Sequence, residues 1–306
     1  MDVLSDLLHR AHAGNTVARQ LIRRPPWSLT FADPPPLTIL ATLGGQAAVR
    51  LGGETTRLDA GDIALVTAGP HTIADAPDTP PQVVIRGTRK ELAPGATPHP
   101  NLAPRTYGDG LPGATTLLRG GCELHGCAGE RVLEMLAPVA VVPAGPRTKP
   151  ALDLLATEIA RDEPGQDAVL HRLLDFLLVS ALRAWCARPG AKVPAWYRAL
   201  SDPAIGETLR LLHEDPARRW TVAELAVEAG MSRATYAARF TDLVGRPPLA
   251  YLTDWRMSLA ADLLRDTDDA VAAVARQVGY ADAFAFSVAF KRARGVSPSH
   301  WRRDVS

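Results

Sequence analysis

The chain has little cysteine. Three residues in 306, Cys122, Cys127 and Cys186, cannot build a disulfide framework. It also lacks any long apolar run; the one near Phe176 to Val179, for example, is far too short to span a bilayer, so no membrane partner is expected. The opening Met1-Asp2-Val3 lacks a basic stretch followed by an apolar one, so no signal peptide is expected and the chain reads as cytoplasmic. Net charge is only +1, so overall electrostatics give no argument for a nucleic-acid partner.

What is present points to more than one domain. A chain of this length fits two domains and a connector. From about Trp27 to Val142, short apolar runs such as Leu37–Leu43, Ala47–Leu51, Ile63–Val66 and Gln82–Ile85 alternate with glycine and proline turns. That pattern predicts an all-β barrel or sandwich. From about Pro150 the apolar spacing becomes helical. Leu152, Leu155 and Ile159 share one face, and Leu170, Leu174, Leu177 and Ala181 share another, with a turn at 164–165 between them. This helical hairpin must bury its stripe, either on the barrel or on a second copy of the chain as a homodimer. Pro189-Gly190 and Pro194 mark a linker, and everything after Asp202 reads as helix and tight turn. The expected class is α+β, with domains at 1–145 (barrel), 146–200 (hairpin and linker) and 201–306 (helical).

The last hundred residues contain a weak duplication. Thr221 and Glu224 form a capping box before an apolar face of Val222, Leu225 and Ala226. Gly230 ends that helix where a left-handed residue is tolerated, and Ser232 can cap a second helix running to about Leu243. The order recurs from Asp269 to Gly279, followed by Asp282 and a helix to about Arg294. Phe240, Phe286 and Phe290 are expected in the core. Helix, glycine turn, helix is the plan in which the second helix enters the major groove. A predicted helix from Pro248 to about Leu264 would fix the separation of the two units. From Arg276 to Arg303, six basic residues (Arg276, Lys291, Arg292, Arg294, Arg302, Arg303) stand against the single acid Asp282, which suits a phosphate-facing surface.

Trp220-Thr-Val-Ala-Glu-Leu-Ala, Gly230-Met-Ser-Arg, Val274-Ala-Arg-Gln-Val-Gly-Tyr280, Phe286-Ser-Val-Ala-Phe-Lys-Arg292 and Gly295-Val-Ser-Pro-Ser299 occur in this order. With them, residues 205–306 resemble the AraC/XylS family of transcriptional regulators. The resemblance implies double-stranded DNA as partner, read by the exposed side of each second helix. In the first head these positions are Ser232, Arg233, Ala234, Thr235, Ala238 and Arg239. In the second they are Ala283, Phe284, Ser287 and Val288, with Lys291 and Arg292 near phosphates. Val288 stands where Arg or another polar residue is common, and Ala283 and Phe284 are apolar. Such side chains can touch thymine methyls but cannot read donor and acceptor patterns. The second head is therefore expected to add less base specificity than the first.

The segment Arg57 to Ile73, with Gly61-Asp62 and Gly69-Pro70-His71, resembles the second motif of a cupin barrel, the sensing domain often joined to such heads. A metal-dependent cupin enzyme needs several inward His and Glu ligands. The preceding strand Gln46 to Leu51 has no His, so no metal, cofactor or catalytic residue is expected, and His71 reads as a turn residue with a satisfied side chain. The remaining cluster, Cys122-Glu-Leu-His125-Gly-Cys127, leaves three readings open: inert, a redox or electrophile sensor, or soft metal ligands. Cys186 reads as buried packing. The functional expectation is a transcription regulator, with activation as the working sense, gated by a small-molecule effector or by an oxidant acting on the thiols.

Overall fold

The computed structural model describes residues 2–11, 14–67, 69–96, 100–110 and 112–305. The chain begins with helix α1 (Val3–Arg10). Strands follow: β1 (Gly14–Arg23), β2 (Ser28–Phe31), β3 (Leu37–Gly44), β4 (Ala47–Leu51), β5 (Glu54–Leu58), β6 (Ile63–Thr67), β7 (His71–Ala74), β8 (Val83–Arg86), β9 (Arg89–Leu92), β10 (Asn101–Ala103), β11 (Thr106–Gly108) and β12 (Thr115–Glu123). Helix α2 (Gly126–Leu133), strand β13 (Val139–Val142) and helices α3 (Lys149–Ile159) and α4 (Gln166–Cys186) come next. The remainder is helical: α5 (Ala195–Ala199), α6 (Pro203–Glu214), α7 (Val222–Glu228), α8 (Arg233–Val244), α9 (Pro248–Asp266), α10 (Val271–Gln277), α11 (Ala283–Arg294) and α12 (Pro298–Val305). Among the described residues no helix is long and apolar enough to cross a membrane.

The chain divides into two compact units. One comprises His12–Leu124 and Leu133–Lys192; the other comprises Met1–Ala11, His125–Val132 and Val193–Ser306. The expected boundaries at 145/146 and 200/201 cut the sequence at changes of periodicity. The units instead follow packing, so α1 and α2, both N-terminal in sequence, belong with the helical unit.

The β unit holds a seven-stranded sheet, ordered β10-β11-β1-β12-β3-β6-β13, and a six-stranded sheet, ordered β5-β4-β7-β2-β8-β9. Period-two alternation turns Leu29 and Phe31 of β2, Val49 of β4, Ile73 of β7, Leu21 of β1 and Leu117 of β12 into a shared core with Trp27. The α3–α4 hairpin buries its stripe, Leu152, Leu155, Ile159, Leu170, Leu174, Leu177 and Ala181, within this unit. It packs on β1, β3 and β13, the first of the two expected solutions. Trp185 at the end of α4 donates Nε1–H to the Met135 carbonyl at 3.0 Å.

In the helical unit, Asp2 caps α1 by accepting from the Ser5 amide at 2.9 Å, and Val3, Leu4 and Leu7 are buried. Trp255, midway along α9 and fully buried, sits at the junction. His213 of α6 stacks on it at 4.4 Å between ring centroids. The guanidinium of Arg131 (α2) lies 4.9 Å from the Trp255 ring centroid and that of Arg10 (α1) 5.8 Å. His213 is 1% exposed, and burial pushes its pKa down, outweighing Asp6. That shift favours the neutral imidazole. Because the Asp6 carboxylate can only accept, Nδ1–H donates to it at 3.2 Å, and Nε2 accepts from the Tyr251 hydroxyl at 2.8 Å. One buried chain of hydrogen bonds thus ties α1 to α6 and α9.

Candidate nucleic-acid interface

The first head is α7, a turn and α8. Thr221 Oγ1 accepts from the Glu224 amide at 3.1 Å and Glu224 Oε2 accepts from the Thr221 amide at 2.8 Å, completing the capping box. Gly230 takes φ +64°, and the Met231 amide donates back to the Ala226 carbonyl at 2.9 Å. Ser232 then caps α8, accepting from the Thr235 amide at 3.2 Å. Tyr236 and Phe240 are fully buried, which fixes the rotation of α8. Ser232, Arg233, Ala234, Thr235, Ala238 and Arg239 are all left exposed.

The second head repeats this with different caps. Ala270 begins α10 without a side-chain cap. Gly279 takes φ +84°, and the Tyr280 amide donates to the Ala275 carbonyl at 2.8 Å. Asp282 caps α11, accepting from the Phe284 and Ala285 amides at 3.0 Å each. Phe286 and Phe290 are fully buried, as expected. Phe284 is 77% exposed and Val288 55%, unusual values for large apolar side chains. Lys291 and Arg292 are exposed, and Ala283 and Ser287 are half-buried. Ser287 spends its hydroxyl on the Ala283 carbonyl at 2.8 Å. The outward face of α11 is therefore apolar over its first half, at Phe284 and Val288, and cationic at its end, at Lys291 and Arg292.

Two turns differ in what surrounds their glycine. A Cβ at Gly230 would meet nothing within 4 Å. One at Gly279 would lie 2.4 Å from the Ala217 carbonyl oxygen. That carbonyl is held in place because Arg256 of α9 donates to the flanking carbonyls of Pro216, at 2.6 Å, and Arg218, at 2.8 Å.

Not every basic residue is available to phosphate. Arg294 donates Nη2–H to Cys127 Sγ at 3.2 Å and to Ser258 Oγ at 3.0 Å; Arg302 donates to the Leu264 carbonyl at 3.2 Å and to that of Asp269. These two arginines satisfy buried acceptors and helix-end carbonyls, so the basic segment reduces to Arg276, Lys291, Arg292 and Arg303, which are exposed. Arg239 pairs with Asp202, Nε to Oδ2 at 3.0 Å. The Ile205 amide and the Arg239 guanidinium hold the Asp202 carboxyl below its usual range. Arg239 is exposed and Asp202 half-buried; a pair near the surface contributes on the order of 1 kcal/mol, so exchange for a base or phosphate costs little. Nothing local in the sequence signals either arrangement.

The cysteine cluster is divided between the units. Cys122 is buried on β12, His125 is exposed, and Cys127 is buried on α2. The Cys127 amide donates to Asp262 Oδ1 at 2.9 Å. Burial, reinforced by Asp262 and opposed by Arg294, pushes the Cys127 thiol up to about 12. A reactive cysteine needs the opposite environment. At pH 8 native Cys127 is expected to alkylate roughly a thousandfold more slowly than in the unfolded chain, its rate climbing without a plateau to pH 10. Mass mapping after iodoacetamide checks this, and a plateau below pH 10 would overturn it. Cys186 is half-buried, less enclosed than expected. His71 hydrogen-bonds the Gly69 carbonyl through Nδ1 at 3.1 Å, but its buried Nε2 has no partner, so it is only half satisfied. Among the described residues no three His, Cys, Asp or Glu side chains are grouped as a metal site.

The barrel holds a feature that the sequence reading missed, a cavity of about 410 Å³. Its apolar wall includes Leu21, Leu29, Phe31 and Ile85, and its cations are Arg19, Lys90 and Arg119. The register explains the grouping: Arg19 of β1 lies directly opposite Arg119 of β12, next to the Leu21–Leu117 pair. The only sequence signal was an arginine two positions from an inward leucine on each strand.

Residues 2–187 match a cupin family model, and residues 225–304 match a helix-turn-helix domain model. The chain is 34% identical over 99% of both lengths to an AraC-like transcription regulator of Streptomyces antibioticus. It is 34% identical to the RCS-specific HTH-type transcriptional activator RclR of Escherichia coli, over 51% of this chain and 54% of that one. The solved DNA-binding domain of AdpA in complex with a target DNA is 34% identical, covering 34% of this chain and 92% of that one, with a TM-score of 0.33. The full-length match, the cupin and the two capped heads agree: the chain belongs to the AraC-like transcription regulators.

Proposed function

We propose that this regulator reads its operator mainly through the first head and is gated by a small molecule held in the cupin barrel. The carrying observation is the contrast between the two outward faces, Arg233, Thr235 and Arg239 on α8 against Phe284 and Val288 on α11. Polar and cationic side chains distinguish bases by hydrogen bonds, whereas the apolar pair offers contact with thymine methyls only. Arg276, Lys291, Arg292 and Arg303 would supply sequence-independent phosphate contacts.

Footprinting upstream of neighbouring genes identifies the operator, and titrations at fixed salt then compare variants. Arg239→Ala is expected to weaken operator binding by about 1–3 kcal/mol and relax the sequence preference. Val288→Ala is expected to change it by less than about 1 kcal/mol. Equal losses would sink the unequal-heads reading.

Two observations favour a ligand over an oxidant as the signal: Cys127 is held as a thiol, and the barrel contains a cavity. The route to the heads would be the chain itself. Strand β12 lines the cavity with Leu117 and Arg119 and continues through His125 into α2. In turn α2 meets α11 through Cys127 and Arg294. The relatives are named as regulators, which supports the regulator reading over an enzyme.

A further inference from the structure

The cavity carries a charge imbalance. Like charges directly opposite on neighbouring antiparallel strands repel, yet Arg19 and Arg119 occupy such a pair, both lining the same apolar space. No Asp or Glu lines it, and neither arginine forms a carboxylate pair among the described residues. Among the described residues Arg19 donates to its neighbouring Ala18 carbonyl, at 3.0 Å. Arg119 lies 4.0 Å over the Phe31 ring with its buried Nε unpartnered, and the Lys90 ammonium lies 4.1 Å over the Tyr107 ring. Burial, with Arg19 adding to it, lowers the Arg119 pKa to about 10; Cys122 and the Phe31 ring offset this in part, but no carboxylate among the described residues does.

We propose that this cavity binds an amphipathic monocarboxylate, its headgroup bridging Arg19 and Arg119 and its apolar body lying against Leu29, Phe31, Ile85 and Leu117. The headgroup supplies the missing counter-charge through charge-assisted, bidentate hydrogen bonds. The walls suit an apolar body, and the volume lies within the usual range of small-molecule pockets. A polyanion such as a nucleotide fits less well, since its polar remainder would face aliphatic walls. The regulatory meaning of the site rests on the ligand-gated reading above; its existence does not.

The test uses the full chain and three probes: 2-naphthoate, decanoate and the neutral 2-naphthylmethanol. Calorimetric titration is expected to show both carboxylates binding roughly tenfold or more tightly than the alcohol. Arg119→Met should erase that difference while leaving the alcohol unchanged. Unliganded, this variant should melt no lower than wild type, because the repulsion is gone. If it fails to fold, Arg19→Met tests the same point from β1. Equal affinity for acid and alcohol, an unchanged preference in the arginine variant, or carboxylate binding weaker than about 1 mM would each overturn the proposal. Operator titration with 2-naphthoate present separates the two readings: saturable binding without altered DNA affinity removes the gating and leaves the site.

Discussion

Trp255→Ala is expected to destabilise the helical unit by about 3–5 kcal/mol, the range for deleting a buried aromatic side chain. The indole is fully buried, and its loss removes a platform as well as volume. His213 stacks on the ring, while Arg10 and Arg131 bring α1 and α2 to it. Domains are stable by about 5–15 kcal/mol in total, so this single change consumes a large share. The damage is expected to be selective: hydrogen exchange should speed first in α1 and α2, while the barrel keeps its protection. Trp255→Phe is the control. It retains most of the ring and removes an indole N–H that is buried without a partner, so its cost should stay within about 1.5 kcal/mol. Urea unfolding followed by circular dichroism measures both; an alanine variant within about 1 kcal/mol of wild type would refute the role assigned to this residue.

Gly279→Ala is expected to cost about 2–4 kcal/mol, and Gly230→Ala about 1 kcal/mol. Both glycines end the first helix of a head in the left-handed region, where a Cβ is strained by about 1–2 kcal/mol. Only at Gly279 does the added methyl also strike backbone, 2.4 Å from the Ala217 carbonyl oxygen. That oxygen cannot retreat cheaply because Arg256 grips the carbonyls on either side of it. Overpacking of this kind adds about 1–3 kcal/mol. The paired variants therefore isolate the steric part from the conformational part. Equal losses in chemical denaturation would show that the Ala217 loop yields freely.

The double head was legible because its signals are local. A capping box within four residues, a glycine after an apolar face and a following Ser or Asp cap are short-range physics, and α7, α8 and α11 begin with the side-chain caps the spacing implies. Strands β3, β4 and β6 were legible for the same reason, as apolar runs between glycine turns. What escaped was long-range. Arg19 and Arg119 meet only through the register of β1 against β12, which no window of sequence contains. The salt bridge that occupies Arg239 joins α8 to the cap of α6, and Arg294, which looked like a phosphate contact, is turned inward by Cys127 and Ser258. The assignment of α1 and α2 to the helical unit was equally hidden, since their apolar faces do not announce which core they join.

Strand β12 has a mechanical property worth drawing out. An extended backbone rises about 3.3 Å per residue and can stretch little further, so the segment from Arg119 to Glu123 is a nearly inextensible tether of about 13 Å. From Arg119 to Gly121 it is paired on both sides, with β1 and β3, which resist its buckling sideways; beyond Gly121 the β1 register shifts. Sliding it by one register would turn Arg119 and Leu117 out of the cavity, so small axial displacements are the softer response. Such a displacement passes along the extended backbone towards Glu123, where the strand ends. If the cavity holds the proposed carboxylate, its pull on Arg119 would reach the end of β12 as length, not as charge.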